Sequence, residues 1–188
     1  MELRSVCAPL GLAALAVGCA RAPASPVPAL TLPGTDGHAH ALIDPGARFT
    51  VVEFFSAHCP CQQIHDERLR VLAAAYASRG VAFLAVDAES DAAMDRDRAE
   101  AERRRYPYPI LLDPEGTSAD ALRAEFATYT VVVARDGRVL YRGGLDSDKS
   151  HLTSDATPYV RDALEDALAG RSPARPKTEP LGCSLYRR

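Results

Sequence analysis

Phe49-Thr50-Val51-Val52-Glu53-Phe54-Phe55-Ser56-Ala57-His58-Cys59-Pro60-Cys61 is the stretch that decides the fold. Its first seven residues form a nearly continuous apolar run rich in β-branched side chains, as expected of a central strand covered on both faces. From residue 60 the apolar positions change to helical spacing, with Ile64, Leu69, Leu72, Ala73 and Tyr76 on one side through residue 79, and Gly80 closes that helix. Cys59 falls four residues after Phe55, where the strand gives way to the helix. Pro60 suits the first helical turn, where its missing N–H costs nothing. A thiol at this junction meets unpaired backbone N–H groups and the positive end of the helix dipole. Both favour the thiolate, which is the reactive form.

Outward from this centre, residues 29–43 alternate around Pro33-Gly34 and Asp36-Gly37 and predict a short β-hairpin. Residues 81–87 (VAFLAVD) predict the next buried strand, and residues 91–105 a charged helix. That helix ends in Arg103-Arg104-Arg105, which reads as a solvated face favoured by the helix dipole rather than as a binding patch. Pro107 and Pro109 break it before Ile110-Leu111-Leu112. Residues 117–126 read as a helix. Residues 129–133 and 138–142 read as a hairpin around Asp136-Gly137, and residues 158–169 as a last amphipathic helix. The fold class is therefore α/β, a central mixed β-sheet flanked by helices with an N-terminal β-hairpin extension.

The ends of the chain differ from its centre. Residues 1–18 run apolar from Ala8 to Val17 and are too short for a permanent membrane span, so they read as a signal peptide. Leu15-Ala16-Val17-Gly18-Cys19 resembles a bacterial lipoprotein signal, in which Cys19 would carry the lipid; an ordinary cleaved signal is the alternative. Residues 19–28 read as an Ala/Pro-rich tether, residues 29–170 as the domain, and residues 171–188 as an irregular Pro-rich tail carrying Cys183. Export puts the thiols where disulfides persist. Ala20, where Asp would favour inner-membrane retention, directs the expectation to the outer membrane of the cell envelope, facing the periplasm.

The 188 residues, 47% hydrophobic with a formal charge of −3, fit one compact domain with short appendages. No basic stripe interleaved with aromatics appears, which excludes nucleic acid as a partner. Five cysteines, without finger-type spacing, support neither a simple disulfide scaffold nor structural zinc.

Val51 to Cys61, together with Arg79-Gly80-Val81-Ala82-Phe83, Asp136-Gly137-Arg138 and Tyr141-Arg142-Gly143-Gly144-Leu145-Asp146, resembles thioredoxin-like proteins. The pattern is that of exported bacterial redoxins of the thiol–disulfide oxidoreductase and thiol-peroxidase superfamily. The resemblance covers residues 29–170 and implies a thioredoxin-like fold, and the late Gly182-Cys183 is similar to a subset of such redoxins. It implies that Cys59 is the nucleophile and that Glu53 is the buried acid that moves protons. A carboxyl on a doubly buried strand should have a raised pKa. The resemblance implies no bound cofactor, and as partners exported thiol or disulfide proteins or a membrane thiol reductant, beside the lipid membrane through Cys19.

Three departures from the family pattern bear on the site. The spacing is C-P-C, with Gln62 where the second cysteine is expected. Helical residues i and i+2 point about 200° apart, so Cys59 must lie outside the helix if it is to pair with Cys61. Thr128 takes the place of the usual cis-proline, and His58 that of the usual Trp before the nucleophile, where an imidazolium can lower a thiol pKa. His58, Pro60 and Thr128 are thus the candidate substrate contacts. Cys183 lies 13 residues after Gly170, a span of up to about 40 Å, so it can return to Cys59 or Cys61 as a resolving thiol.

These residues leave three functions open. The first is a thiol–disulfide oxidoreductase using Cys59 with Cys61 or Cys183. The second is a thiol peroxidase, for which Ser56 fits the hydroxyl position of the peroxiredoxin arrangement but Val52 replaces its proline. The third is a Cu(I) chaperone using Cys59, Cys61 and His65, since thiolates suit a soft metal. His38 and His40 lie on a predicted turn and read as solvated.

Overall fold

The computed structural model describes residues 26–187. The expected signal segment, Cys19 and most of the expected tether lie outside the described residues. In chain order the elements are β1 (Thr31–Pro33), β2 (Ala39–Ala41), β3 (Phe49–Phe55), α1 (Pro60–Ala77), β4 (Val81–Asp87), α2 (Met94–Arg104), β5 (Ile110–Leu112), α3 (Thr117–Leu122), β6 (Thr130–Ala134), β7 (Val139–Gly143) and α4 (Tyr159–Leu168). Among the described residues no helix is long and apolar enough to cross a membrane.

The five-stranded sheet has the order β5-β4-β3-β6-β7. β3 is central: it pairs in parallel with β4 from Phe49↔Val81 to Phe55↔Asp87, and antiparallel with β6 from Phe49↔Ala134 to Glu53↔Thr130. The parallel β3–β4 pair needs a crossover connection, which α1 supplies. β1 and β2 form the separate N-terminal hairpin, tied to the sheet edge by the Thr35 N–H donating to the Ile110 carbonyl at 3.0 Å.

Alternation along β3 distributes its side chains between two layers. Val52 and Phe54 pack with Leu84, Val86, Val131 and Val133 on one face. Val51 packs with Leu69 and Leu72 of α1 and Val160 and Leu164 of α4 on the other, and Phe55 with Ala73. Full burial of each of these aliphatic or aromatic side chains contributes about 1.5–3 kcal/mol. Glu53 shares its face with Val51 and Phe55 by the same alternation, so the strand carries its one acid beneath α1.

Four expectations change. The helix expected over 117–126 ends at Leu122, because Arg123 adopts a left-handed conformation (φ 58°) that stops the hydrogen-bond ladder and leaves Phe126 free to form a β-bridge with Ser184. Arg104 is not part of a solvated face: it is 3% exposed, stacked over the Phe55 ring and paired with Asp66 and Glu100. The tail holds no helix or named strand, yet it is not a loose appendage. It runs beside β7, where Thr178 N–H donates to the Arg142 carbonyl and Arg142 N–H to the Pro176 carbonyl, both at 3.1 Å. A β-carbon at Gly143 would lie 2.2 Å from the Thr178 hydroxyl oxygen, so this seam requires glycine. At the other end, the last residues of the expected tether join the domain: Val27 is buried and its N–H donates to the Gly137 carbonyl at 3.0 Å.

Candidate active site

Cys59 caps the N-terminus of α1 in an extended conformation (φ −85°, ψ 110°), with Pro60 as the first helical residue. It thus stands outside the helix, as pairing with a neighbouring thiol requires, and it is fully buried. The tail covers it. Past Thr178 the chain crosses from β7 to the loop before β6, where Ala127 N–H donates to the Cys183 carbonyl at 2.8 Å and Leu185 N–H to the Glu125 carbonyl at 2.9 Å. The Cys183 sulfur then lies 2.7 Å from the Cys59 sulfur, closer than two unbonded sulfurs ordinarily approach. Cys61 is half-buried, and its sulfur lies within 4.8 Å of both others. All three cysteines are therefore brought together, with Cys183 as the near neighbour of Cys59.

Burial pushes the Cys183 thiol up to about 12, reinforced by its hydrogen bond with Cys59 and by the negative charge on Cys59 and Cys61. Cys183 therefore holds its proton more tightly than an ordinary thiol.

Glu53 is 2% exposed. Burial raises its pKa well above the usual carboxylate range, helped by the charges of Asp66 and Cys59 and opposed by Arg104. One of its oxygens accepts from the Gln62 amide at 3.2 Å, and the other is buried without a partner. A protonated carboxyl best fits that environment. Gln62, at the position where the family has its second cysteine, is an organiser: its carbonyl accepts from Ser56 N–H at 2.8 Å while its amide reaches Glu53 and, at 3.4 Å, the Tyr106 hydroxyl. Tyr106 in turn donates to Asp66, which Arg104 balances at 3.2 Å. Sequence reading noted Gln62 as a substitution but missed Asp66, Arg104 and Tyr106. The available signal was Asp66 one helical turn after Gln62 on a face otherwise apolar.

The remaining expected residues fall into place unevenly. Thr128 sits at the loop contacted by the tail, in a trans peptide with φ 64°, a left-handed conformation unusual for a β-branched side chain. Its N–H donates to the Phe54 carbonyl at 2.8 Å. A proline could not occupy this position, because its φ is near −65° and it has no N–H to donate. His58 is 65% exposed on its side chain and its ring lies 3.6 Å from Asp91. The Ser56 hydroxyl oxygen accepts from His58 N–H at 3.2 Å. His65 is buried, with Nδ1 against the Cys61 carbonyl at 2.8 Å and Nε2 3.5 Å from Asp146. Although burial opposes it, these two contacts raise the His65 pKa. With both ring nitrogens engaged, His65 is not offered to the sulfurs.

A cysteine at the N-cap of the helix after a central buried strand, with a buried acid on that strand, defines a thioredoxin-fold protein with a thiol redox site. A family model described as Redoxin matches residues 22–159, and the chain belongs to that family. It is accordingly an oxidoreductase acting on thiols or peroxides. Among solved structures it is similar to an uncharacterized conserved protein from Geobacillus kaustophilus (27% identity, TM-score 0.79, covering 87% of this chain and 91% of that one). It is also similar in fold to a thiol-disulfide oxidoreductase from Bacteroides fragilis (15%, 0.57, 78% and 98%) and to Peroxidoxin BcpB from Mycobacterium tuberculosis (21%, 0.56, 77% and 92%). No curated protein matches the chain.

A carboxyl that stays protonated when folded and ionises when unfolded makes the folded state the stronger proton binder. Stability therefore falls as pH rises above the ordinary value of 4.5 for such a group. Glu53→Gln removes that loss. Its thermal midpoint is expected to exceed that of the wild type by a margin that grows as pH rises from about 4.5, until the folded carboxyl itself titrates. Melting curves across pH 4–8 check this; a margin independent of pH contradicts a protonated Glu53.

Proposed function

We infer that this protein is a thiol–disulfide oxidoreductase of the cell envelope, in which Cys59 attacks and Cys183 resolves. The observation that carries the reading is the 2.7 Å approach of the two sulfurs at the start of α1, above the buried Glu53. The Cys59 thiolate attacks one sulfur of a substrate disulfide. A Cys59–substrate bond forms, the substrate S–S bond breaks, and the other substrate sulfur leaves as a thiolate. That bond formation removes the negative charge of Cys59, one of the causes that raise Glu53. Glu53 becomes the stronger acid at the moment when the leaving thiolate needs a proton. Cys183, protonated until then, attacks the Cys59 sulfur; the Cys59–substrate bond breaks and the departing substrate sulfur takes the Cys183 proton, releasing reduced substrate and leaving a Cys59–Cys183 disulfide. The lipoprotein-type N-terminus supports placement on a membrane facing the periplasm, with exported disulfide proteins or a membrane thiol reductant as partners.

Turnover of a disulfide substrate by the full chain is expected to fall about a thousandfold or more in Cys59→Ser. Cys183→Ser should accumulate a mixed disulfide on Cys59, and Cys61→Ser should keep most of the activity. Full activity in Cys183→Ser with a trapped adduct in Cys61→Ser would give the resolving role to Cys61. Faster oxidation of Cys59 by hydrogen peroxide than by any disulfide would instead make the chain a thiol peroxidase.

The three sulfurs, all within 4.8 Å of one another, favour a second reading in which the reduced site holds a soft ion such as Cu(I). Here Cys183 replaces His65 as the third ligand. Competition with a Cu(I) chelator should show stoichiometric binding that is lost in Cys183→Ser and kept in His65→Ala; the reverse result rules this ligand set out.

A further inference from the structure

The tail is held at the active site as an extended strand. Ser184 pairs antiparallel with Phe126, flanked by the Ala127–Cys183 and Leu185–Glu125 backbone hydrogen bonds. On the opposite side Ser90 N–H donates to the Tyr186 carbonyl at 2.9 Å, and Tyr186 N–H donates to Glu89 at 3.0 Å. These contacts belong to the backbone of the tail and would be offered to any extended chain. Side-chain identity enters at three positions. A β-carbon on residue 182 would lie 1.7 Å from the Ala127 carbonyl oxygen and 2.6 Å from the Thr128 hydroxyl, so only glycine fits there. Residue 183 presents its sulfur to Cys59. Leu185 is buried in the same apolar cluster as Cys59. The slot between Glu89-Ser90 and Glu125–Thr128 therefore reads the pattern Gly-Cys-x-Leu.

We propose that this slot is the substrate-docking surface, and that its partner is an extended polypeptide whose disulfide-bonded cysteine is preceded by glycine and followed two residues later by an apolar side chain. The inference rests on the disulfide-exchange reading and names its substrate class. The tail and the substrate then occupy one slot in turn. With the tail out, the substrate strand docks and Cys59 attacks its cysteine sulfur; the S–S bond to the substrate's second sulfur breaks, and that sulfur leaves and takes a proton. When the tail re-enters, Cys183 attacks the Cys59 sulfur, the Cys59–substrate bond breaks, and the substrate cysteine departs as a thiol. The substrate disulfide gains two electrons and the Cys59–Cys183 pair loses them. Resolution and product release become one event, because the strand that brings the resolving thiol displaces the product. The tethered tail also competes with outside chains at high effective concentration, which selects for partners matching all three positions.

The test uses reduced full-length protein carrying Cys183→Ser, so that adducts on Cys59 persist. The probe is the peptide Pro-Leu-Gly-Cys-Ser-Leu-Tyr-Arg, the order of residues 180–187, with its cysteine joined to glutathione. The rate of forming the Cys59–peptide disulfide is followed by mass spectrometry. It is compared with peptides in which Gly is changed to Val or Leu to Ser. Each change is expected to slow the reaction about tenfold or more. Adding Gly182→Val to the protein, which expels its own tail from the slot, should speed reaction with the unchanged peptide. Equal rates for the three peptides overturn the docking proposal and leave disulfide exchange standing. Failure of Cys59 to react with any of them, or with oxidised glutathione, overturns both.

Discussion

Cys183 reaches Cys59 because the residue before it has no side chain. At Gly182 the tail lies so near the Ala127 carbonyl that a single methyl group would push the strand away, and the sulfur would move with it. Much of the site depends on this approach. It buries Cys59, brings Leu185 into the apolar cluster around it, and sets the environment that pushes the Cys183 thiol up. The left-handed Thr128 belongs to the same arrangement: its loop turns to receive the tail instead of carrying a proline, and its backbone N–H is used to hold it to β3.

Beneath the sulfurs is a polar chain that the sheet could not otherwise tolerate. Glu53 lies on a face of the central strand whose other residues, Phe49, Val51 and Phe55, are apolar, and Gln62 is the group that reconciles it with that setting. In a site with two cysteines three apart, the position of Gln62 would hold the second thiol. Here the thiol nearest Cys59 comes from the tail, and that helical position is held by an amide that fixes both the Ser56 turn and the acid. The unusual spacing and the remote cysteine are thus two sides of one arrangement. Arg104, Asp66 and Tyr106 complete it by balancing charge behind the acid.

The sequence made the central features legible for a simple reason: they are local. The apolar run of β3, the proline at the first turn of α1 and the alternation that buries Glu53 are each written within a dozen residues, and the strand-to-helix position of Cys59 follows from them. The contributions from distant segments were not legible in the same way. Arg103-Arg104-Arg105 has the composition of a solvated helix end, and only the packing of α2 against Phe55 and Asp66 turns its middle residue inward. The tail looked irregular because proline excludes it from helix and sheet interior, but its docking depends on spaces at Gly143 and Gly182 that show themselves only when the partner backbone is in place. Cys183 was within reach by chain length alone; what favours it over Cys61 is that local backbone fit.

The central claim is that the reactive pair is Cys59 with Cys183. Mass-spectrometric mapping of the oxidised full-length protein tests it most directly. The account predicts a Cys59–Cys183 crosslink joining the peptide that begins α1 to the C-terminal peptide, with Cys61 left as a free thiol. A Cys59–Cys61 disulfide with Cys183 free, or Cys59 remaining unpaired under oxidation, would contradict it.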